Sequence, residues 1–182
     1  MKPLFAIAAL LTASAAPVPS LHVRDMAGAP VTIETSRAKA TVVVFYSVLC
    51  PVSNEYNDRM SQLFGAYKSK SVQFAFVDSN SNESVAEIAK HAKLAEYPFP
   101  VYKDVRNAVA DTLGAEATPE AFVLDATGVI RYRGYIDDAR NEARVKVHGL
   151  QDAIDAVLVG KRVERAVTKS FGCTIKRARK SS

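Results

Sequence analysis

The chain has 182 residues, 48% of them apolar, with two cysteines and a formal charge of +5. Once a leader is removed, that length suits one domain able to bury ~70% of its unfolded surface, so no second domain is needed. The charge is concentrated: residues 161–182 hold eight Lys/Arg against Glu164 alone, while residues 17–160 are net −3. Such a tail reads first as a solvated terminal segment.

Met1 to Ala16, MKPLFAIAALLTASAA, has one early Lys, an apolar run from Leu4 to Leu11 and small residues around Ala13-Ser14-Ala15. That is the pattern of a secretory signal peptide cleaved after Ala15 or Ala16. The run is far short of the ~20 residues of a membrane span, and no other segment approaches that length. The expectation is a periplasmic or secreted protein without an integral span, which also sets nucleic acid aside as a partner of the basic tail. The organisation is then a signal peptide over 1–16, one domain over 17–160 and a basic tail over 161–182 carrying Cys173.

Leu21 to Ile33 alternates around Asp25-Met26-Ala27-Gly28 and predicts a β-hairpin with a tight turn. Thr41 to Ser47 is β-branched and aromatic, long enough for a buried strand and too short for a buried helix. Val52, Tyr56, Met60, Leu63, Phe64 and Tyr67 recur at helical spacing and predict a helix directly after Cys50. Val72 to Val77 is a further strand, ending in the polar loop Asp78 to Glu83. Ser84 with Glu87 forms a capping box for a helix striped by Val85, Ile88, Ala89 and Ala92.

After Tyr97-Pro98-Phe99-Pro100 come a short extended piece at Val101-Tyr102 and a helix from about Arg106 to Leu113, stopped by Gly114. Ala121 to Leu124 and Val129 to Tyr135 read as strands joined by an Asp125-Ala126-Thr127-Gly128 turn. Leu150, Ile154, Val157 and Leu158 stripe a last helix that Gly160 ends. This order predicts an α/β domain: a central mixed sheet with helices on both faces and an N-terminal hairpin.

Chemistry concentrates at Cys50-Pro51. Pro51 suits the first position of a helix, which puts Cys50 at the N-cap, facing unpaired backbone N–H groups and the positive end of the helix dipole. Both favour thiolate over thiol, and a cysteine so placed is a candidate nucleophile, against the alternative of an inert buried thiol. Ser53, one turn on, either hydrogen-bonds that thiolate or simply serves the helix N-terminus. Cys173 is a disulfide partner, a cysteine pairing with another molecule or a free thiol, and spacing does not choose among them. His22, His91 and His148 show no ligand spacing with either cysteine, so no metal site and no cofactor is assigned.

The strand Val42 to Tyr46 leading to Cys50-Pro51-Val52-Ser53, the Thr118-Pro119 step before Phe122, and Phe122-Val123-Leu124-Asp125 followed by Gly128 together resemble the thioredoxin-fold redoxin family of peroxiredoxin-like, AhpC/TSA type. The likeness runs from Leu21 to about Leu158. Thr118-Pro119-Glu120-Ala121-Phe122-Val123 and Gly172-Cys173-Thr174-Ile175 fit an exported bacterial group of that family with a Cys-x-x-Ser motif.

The resemblance implies a cis proline at Pro119 beside the active cysteine, with the backbone around Thr118 and Pro119 binding substrate. Two departures matter. Ser53 replaces the second thioredoxin cysteine, so a dithiol cycle cannot run within the motif. Ser47 fits the peroxiredoxin pattern, but Val43 and Pro119 stand where its Pro and Arg belong.

Together the resemblance and these residues imply an exported thiol–disulfide oxidoreductase with Cys50 as nucleophile and Cys173 as a distant resolving cysteine. Pro51, Thr118 and Pro119 border the substrate. The alternatives are a thiol peroxidase and a thiol- or copper-binding module without turnover. The partner is a redox protein, a small thiol or disulfide, or a peroxide.

Overall fold

The computed structural model describes residues 16–179, so the signal peptide expected over 1–16 lies almost wholly outside the described residues. Among the described residues nine strands and five α-helices occur in this order: β1 (Ser20–Arg24), β2 (Pro30–Glu34), β3 (Ala40–Tyr46), α1 (Pro51–Glu55), α2 (Asn57–Tyr67), β4 (Val72–Asp78), α3 (Val85–Leu94), β5 (Val101–Lys103), α4 (Ala108–Leu113), β6 (Ala117–Thr118), β7 (Glu120–Asp125), β8 (Ile130–Gly134), α5 (Gly149–Leu158) and β9 (Cys173–Thr174). Seven strands form one mixed sheet in the order β2-β1-β5-β4-β3-β7-β8, and β6 pairs separately with β9.

All seven residues of β3 are buried. It lies at the centre, parallel to β4 and antiparallel to β7. Alternation divides its side chains between two cores. Val42, Val44 and Tyr46 join Met60, Leu63, Ile88, Leu150 and Ile154 on the face covered by α2, α3 and α5. Val43 and Phe45 join Leu21 and Val23 of β1 with Val109 and Leu113 of α4 on the opposite face. Each fully buried Val or Phe there contributes about 1.5–3 kcal/mol, so the strand that leads into Cys50 is firmly held from both sides. The mixed sheet with helices on both faces is a thioredoxin-like fold.

Local signals in the sequence reappear in detail. Gly28, at φ +83, closes the first hairpin turn, whose Asp25 carboxylate accepts the Ala27 and Ala29 N–H groups. Ser84 and Glu87 form a complete capping box at α3. Two elements differ. The helix after Cys50 breaks at Tyr56 (φ −95, ψ −1), whose N–H turns back to the Ser53 carbonyl while its buried hydroxyl is held by Asp137. The helix expected from Arg106 begins only at Ala108, because Arg106 and Asn107 both take positive φ.

The tail is not a solvated segment. Its Val163 and Ile175 are buried, at 8% and 3% exposure, although most of its Lys and Arg side chains face water. It first runs beside β8, where Ala166 accepts the Arg133 N–H and Thr168 donates to the Arg133 carbonyl, both at 2.9 Å. It then crosses to β6.

Candidate active site

At the end of β3 the chain turns through Ser47, Val48 and Leu49. Cys50 is the N-cap of α1 and Pro51 its first residue. The turn is tied from outside: Glu83 accepts the Ser47 hydroxyl at 2.5 Å and the Val48 N–H at 2.7 Å, and Asn54 donates to the Val48 carbonyl at 3.1 Å. Cys50 itself is 2% exposed. Ser53 is buried, and its hydroxyl has no hydrogen-bond partner among the described residues. Pro51 is exposed at the helix start.

The Thr118–Pro119 peptide is cis and brings β6 against this turn, with the Thr118 carbonyl oxygen 3.2 Å from the Cys50 sulfur. Glu120 fixes that approach. Buried at 2% exposure, its carboxylate accepts the Glu116 and Ala117 N–H groups at 2.7 and 3.2 Å, and Arg133 neutralises it at 3.0 Å. The glutamate of the Thr-Pro-Glu-Ala-Phe-Val run therefore holds the strand that borders the cysteine.

Cys173 arrives from the other side. β9 pairs antiparallel with β6, Thr118 opposite Cys173, and the Thr118 hydroxyl donates to the Cys173 carbonyl at 3.3 Å. Cys50 and Cys173 form a disulfide across 123 residues, with Cα atoms 6.0 Å apart. Gly172 permits this docking, since a Cβ there would collide with the Thr118 carbonyl. All six residues singled out in the sequence, Cys50, Pro51, Ser53, Thr118, Pro119 and Cys173, thus lie on the segments that meet at one place. Of the two sulfur-bearing residues, Cys50 is the buried one and Cys173 is partly exposed.

Sequence reasoning missed the charged cluster beneath the site. Asp78, Ser79, Asn80 and Glu83 sit in a run that reads as a wet loop, yet all four are buried, as are Lys103 and Asp104. Lys103 reaches Asp78 at 3.1 Å. Burial first, and then the adjacent Glu83 carboxylate, push Asp78 up to about 8 against the pull of Lys103. Its Oδ2 has no hydrogen-bond partner among the described residues, whereas the Glu83 carboxylate accepts two hydrogen bonds. A polar run with no apolar periodicity offers no sign that it is buried.

Asp137 and Asp138 are architectural. Asp137, buried at 3% exposure, receives Arg59 at 2.7 Å and the Tyr56 hydroxyl at 3.0 Å. Asp138 accepts the Lys146 and Val147 N–H groups. Arg59 is thereby committed to Asp137, and Arg133 to Glu120. The hydrogen bonds of these two arginines go to those carboxylates and to backbone carbonyls, not to the Cys50 sulfur.

Residues 15–133 match the model of the AhpC/TSA family. The chain belongs to the AhpC/TSA family. Cys173 falls beyond the matched residues, so the second cysteine of this chain lies on a segment outside the shared part. The domain is 22% identical over 112 residues to the thiol-disulfide oxidoreductase ResA of Bacillus cereus, covering 62% of this chain and 64% of that protein. It thus spans less than two thirds of that curated relative's length.

A solved structure of a hypothetical protein from Sinorhizobium meliloti 1021 superposes with a TM-score of 0.81 at 29% identity, covering 92% of this chain and 96% of that one. A thiol:disulfide interchange protein of the thioredoxin family from Chlorobium tepidum superposes with a TM-score of 0.62 at 19% identity, over 81% of this chain and 99% of that one. The latter likeness is one of fold.

Proposed function

We propose that this AhpC/TSA domain is an exported thiol–disulfide oxidoreductase in which Cys50 is the nucleophile and Cys173 the resolving cysteine. The observation that supports it most is the Cys50–Cys173 disulfide, formed where β9 lies beside the Thr118–Pro119 step.

In the reduced protein the Cys50 thiolate attacks one sulfur of a substrate disulfide. A Cys50–substrate bond forms, the substrate S–S bond breaks, and the other substrate sulfur leaves as thiolate. The Cys173 thiolate then attacks the Cys50 sulfur, closing the internal disulfide and expelling the remaining substrate thiolate. The substrate gains two electrons and the two cysteines lose them; run backwards, the same steps oxidise a dithiol.

Each neighbour has a defined part. The α1 N-terminus, entered through Pro51, favours the Cys50 thiolate, and the unpartnered Ser53 hydroxyl is a ready donor to it. The Thr118 carbonyl oxygen, 3.2 Å from the Cys50 sulfur in the disulfide form, is placed to accept an S–H once the bond is reduced. Pro119 and Thr118 border the substrate's path to the sulfur. The export reading rests on Met1 to Ala16 and on an internal disulfide, a bond that persists in oxidising compartments.

The test is trapping. Cys173→Ser, mixed with a model aromatic disulfide, is expected to stop as a stable adduct on Cys50, whereas wild type passes to the internal disulfide and Cys50→Ser does neither. An adduct confined to Cys173 in wild type would reverse the roles. The same variants challenged with hydrogen peroxide measure the peroxidase alternative: faster oxidation by peroxide than by the disulfide would put it first.

A further inference from the structure

The loop between β4 and α3, Asp78-Ser79-Asn80-Ser81-Asn82-Glu83-Ser84, touches both cysteine-bearing segments. On one side Glu83 takes the Ser47 hydroxyl and the Val48 N–H, the two residues that start the Cys50 turn. On the other, the Asn80 side chain accepts the Lys176 N–H at 2.9 Å and Ser81 donates its N–H to the Lys176 carbonyl at 2.9 Å. Asn107, just before α4, extends this grip: its side-chain oxygen accepts the Ala178 N–H at 2.7 Å, and its amide nitrogen donates to the Ser79 carbonyl.

The loop is itself fixed from below. Lys103 bonds both the Asp78 carboxylate and the Asn80 carbonyl, and Asp78 accepts the Asn80 N–H at 2.8 Å. We propose that Glu83, Asn80 and Asn107 are positioning residues that hold the Cys50 turn and the Cys173 strand against one frame, so that Cys173 stays beside Cys50 whether or not the disulfide is formed.

This proposal rests on the thiol–disulfide reading above and adds to it how resolution is made intramolecular. Lys176 and Ala178, tail residues held by this loop and by Asn107, lie after Cys173 in sequence, and none of these anchors involves the S–S bond. Ile175 is buried at 3% exposure and donates to the Glu116 carbonyl at 3.0 Å, and Arg177 pairs with Asp111 at 2.6 Å. Reduction removes the covalent link and leaves these contacts in place. The resolving thiol then attacks from a pre-set position, and its high effective concentration favours the internal disulfide over mixed disulfides.

The experiment equilibrates wild type, Asn80→Ala, Asn107→Gly, Glu83→Ala and Glu83→Gln with glutathione redox buffers and quantifies the Cys50–Cys173 bond by peptide mapping. Asn107→Gly keeps the backbone freedom that its φ of +61 needs while deleting the amide. Asn80→Ala and Asn107→Gly are each expected to lower the equilibrium constant for the internal disulfide ~10-fold, about 30 mV in potential. Glu83→Gln retains an acceptor for Val48 and a partner for Ser47, and should return close to wild type where Glu83→Ala does not.

Variants that melt earlier yet keep the wild-type equilibrium constant would show a purely structural loop and overturn the proposal. Should Asn80→Ala not fold, Asn107→Gly decides by the same measure. Wild type that forms no internal disulfide in any buffer would instead refute the underlying thiol–disulfide reading, so the two failures are distinct.

Discussion

Replacing Asp78 by Asn should flatten the dependence of stability on pH. Asp78 is fully buried, its Oδ1 accepts Lys103 and the Asn80 N–H, and its Oδ2 has no donor and faces the environment of Glu83. Burial and Glu83 raise it to about 8 from 3.8. Below pH ~4 the carboxyl is protonated in both folded and unfolded chains. Between pH ~4 and ~8 the unfolded chain releases that proton while the folded chain keeps it, so stability falls as pH rises through this window and levels off above it.

At about 1.4 kcal/mol per pH unit the gap bounds the loss at roughly 6 kcal/mol, and relaxation around the new charge brings a fall of at least ~2 kcal/mol into reach of measurement. Asn at this position still accepts from Lys103 and the Asn80 N–H and can donate to Glu83, but it has no proton to lose. Urea unfolding of the oxidised protein from pH 5 to 8.5 gives both curves, and their difference isolates Asp78 together with the groups coupled to it. Parallel curves for wild type and Asp78→Asn, or a wild-type stability that rises with pH in this window more than the variant's, would refute the reasoning.

Other perturbations act on the link between the tail and the domain. Cys173→Ser opens a loop of 123 residues and should cost up to about 5 kcal/mol in thermal or denaturant unfolding, with no change in the fold seen by circular dichroism. Gly172→Ala places a methyl against the Thr118 carbonyl and should cost about 1–3 kcal/mol at the β6–β9 pairing, read as slower closure of the internal disulfide after reduction and reoxidation. Tyr56→Phe removes one buried hydrogen bond to Asp137 and should lower stability by about 1 kcal/mol while leaving the thiol chemistry as it was.

The parts of the fold legible in the sequence are those set by neighbours in the chain. The buried run of β3, the Asp25–Gly28 turn, the Ser84–Glu87 capping box and the Cys50-Pro51 start of α1 each depend on residues within a few positions. Features that the sequence hid depend on distance or on burial of polar groups. The Thr118–Cys173 register joins residues 55 apart within a tail whose charges suggest water. Asp78 and Glu83 lie in a run of Ser and Asn that has every mark of an exposed loop, and it is Lys103, from a different strand, that makes their burial tolerable. The break at Tyr56 comes from Asp137, 81 residues on, and so left no trace in the helical spacing.

The most direct measurement is peptide-mapped mass spectrometry of the protein after full reduction and then one equivalent of a model disulfide or of hydrogen peroxide. Rapid appearance of a linked Cys50–Cys173 peptide pair, undone by dithiothreitol and faster with the disulfide than with peroxide, is the result predicted. Two thiols that stay unlinked and unreactive toward both oxidants would contradict the two-cysteine cycle.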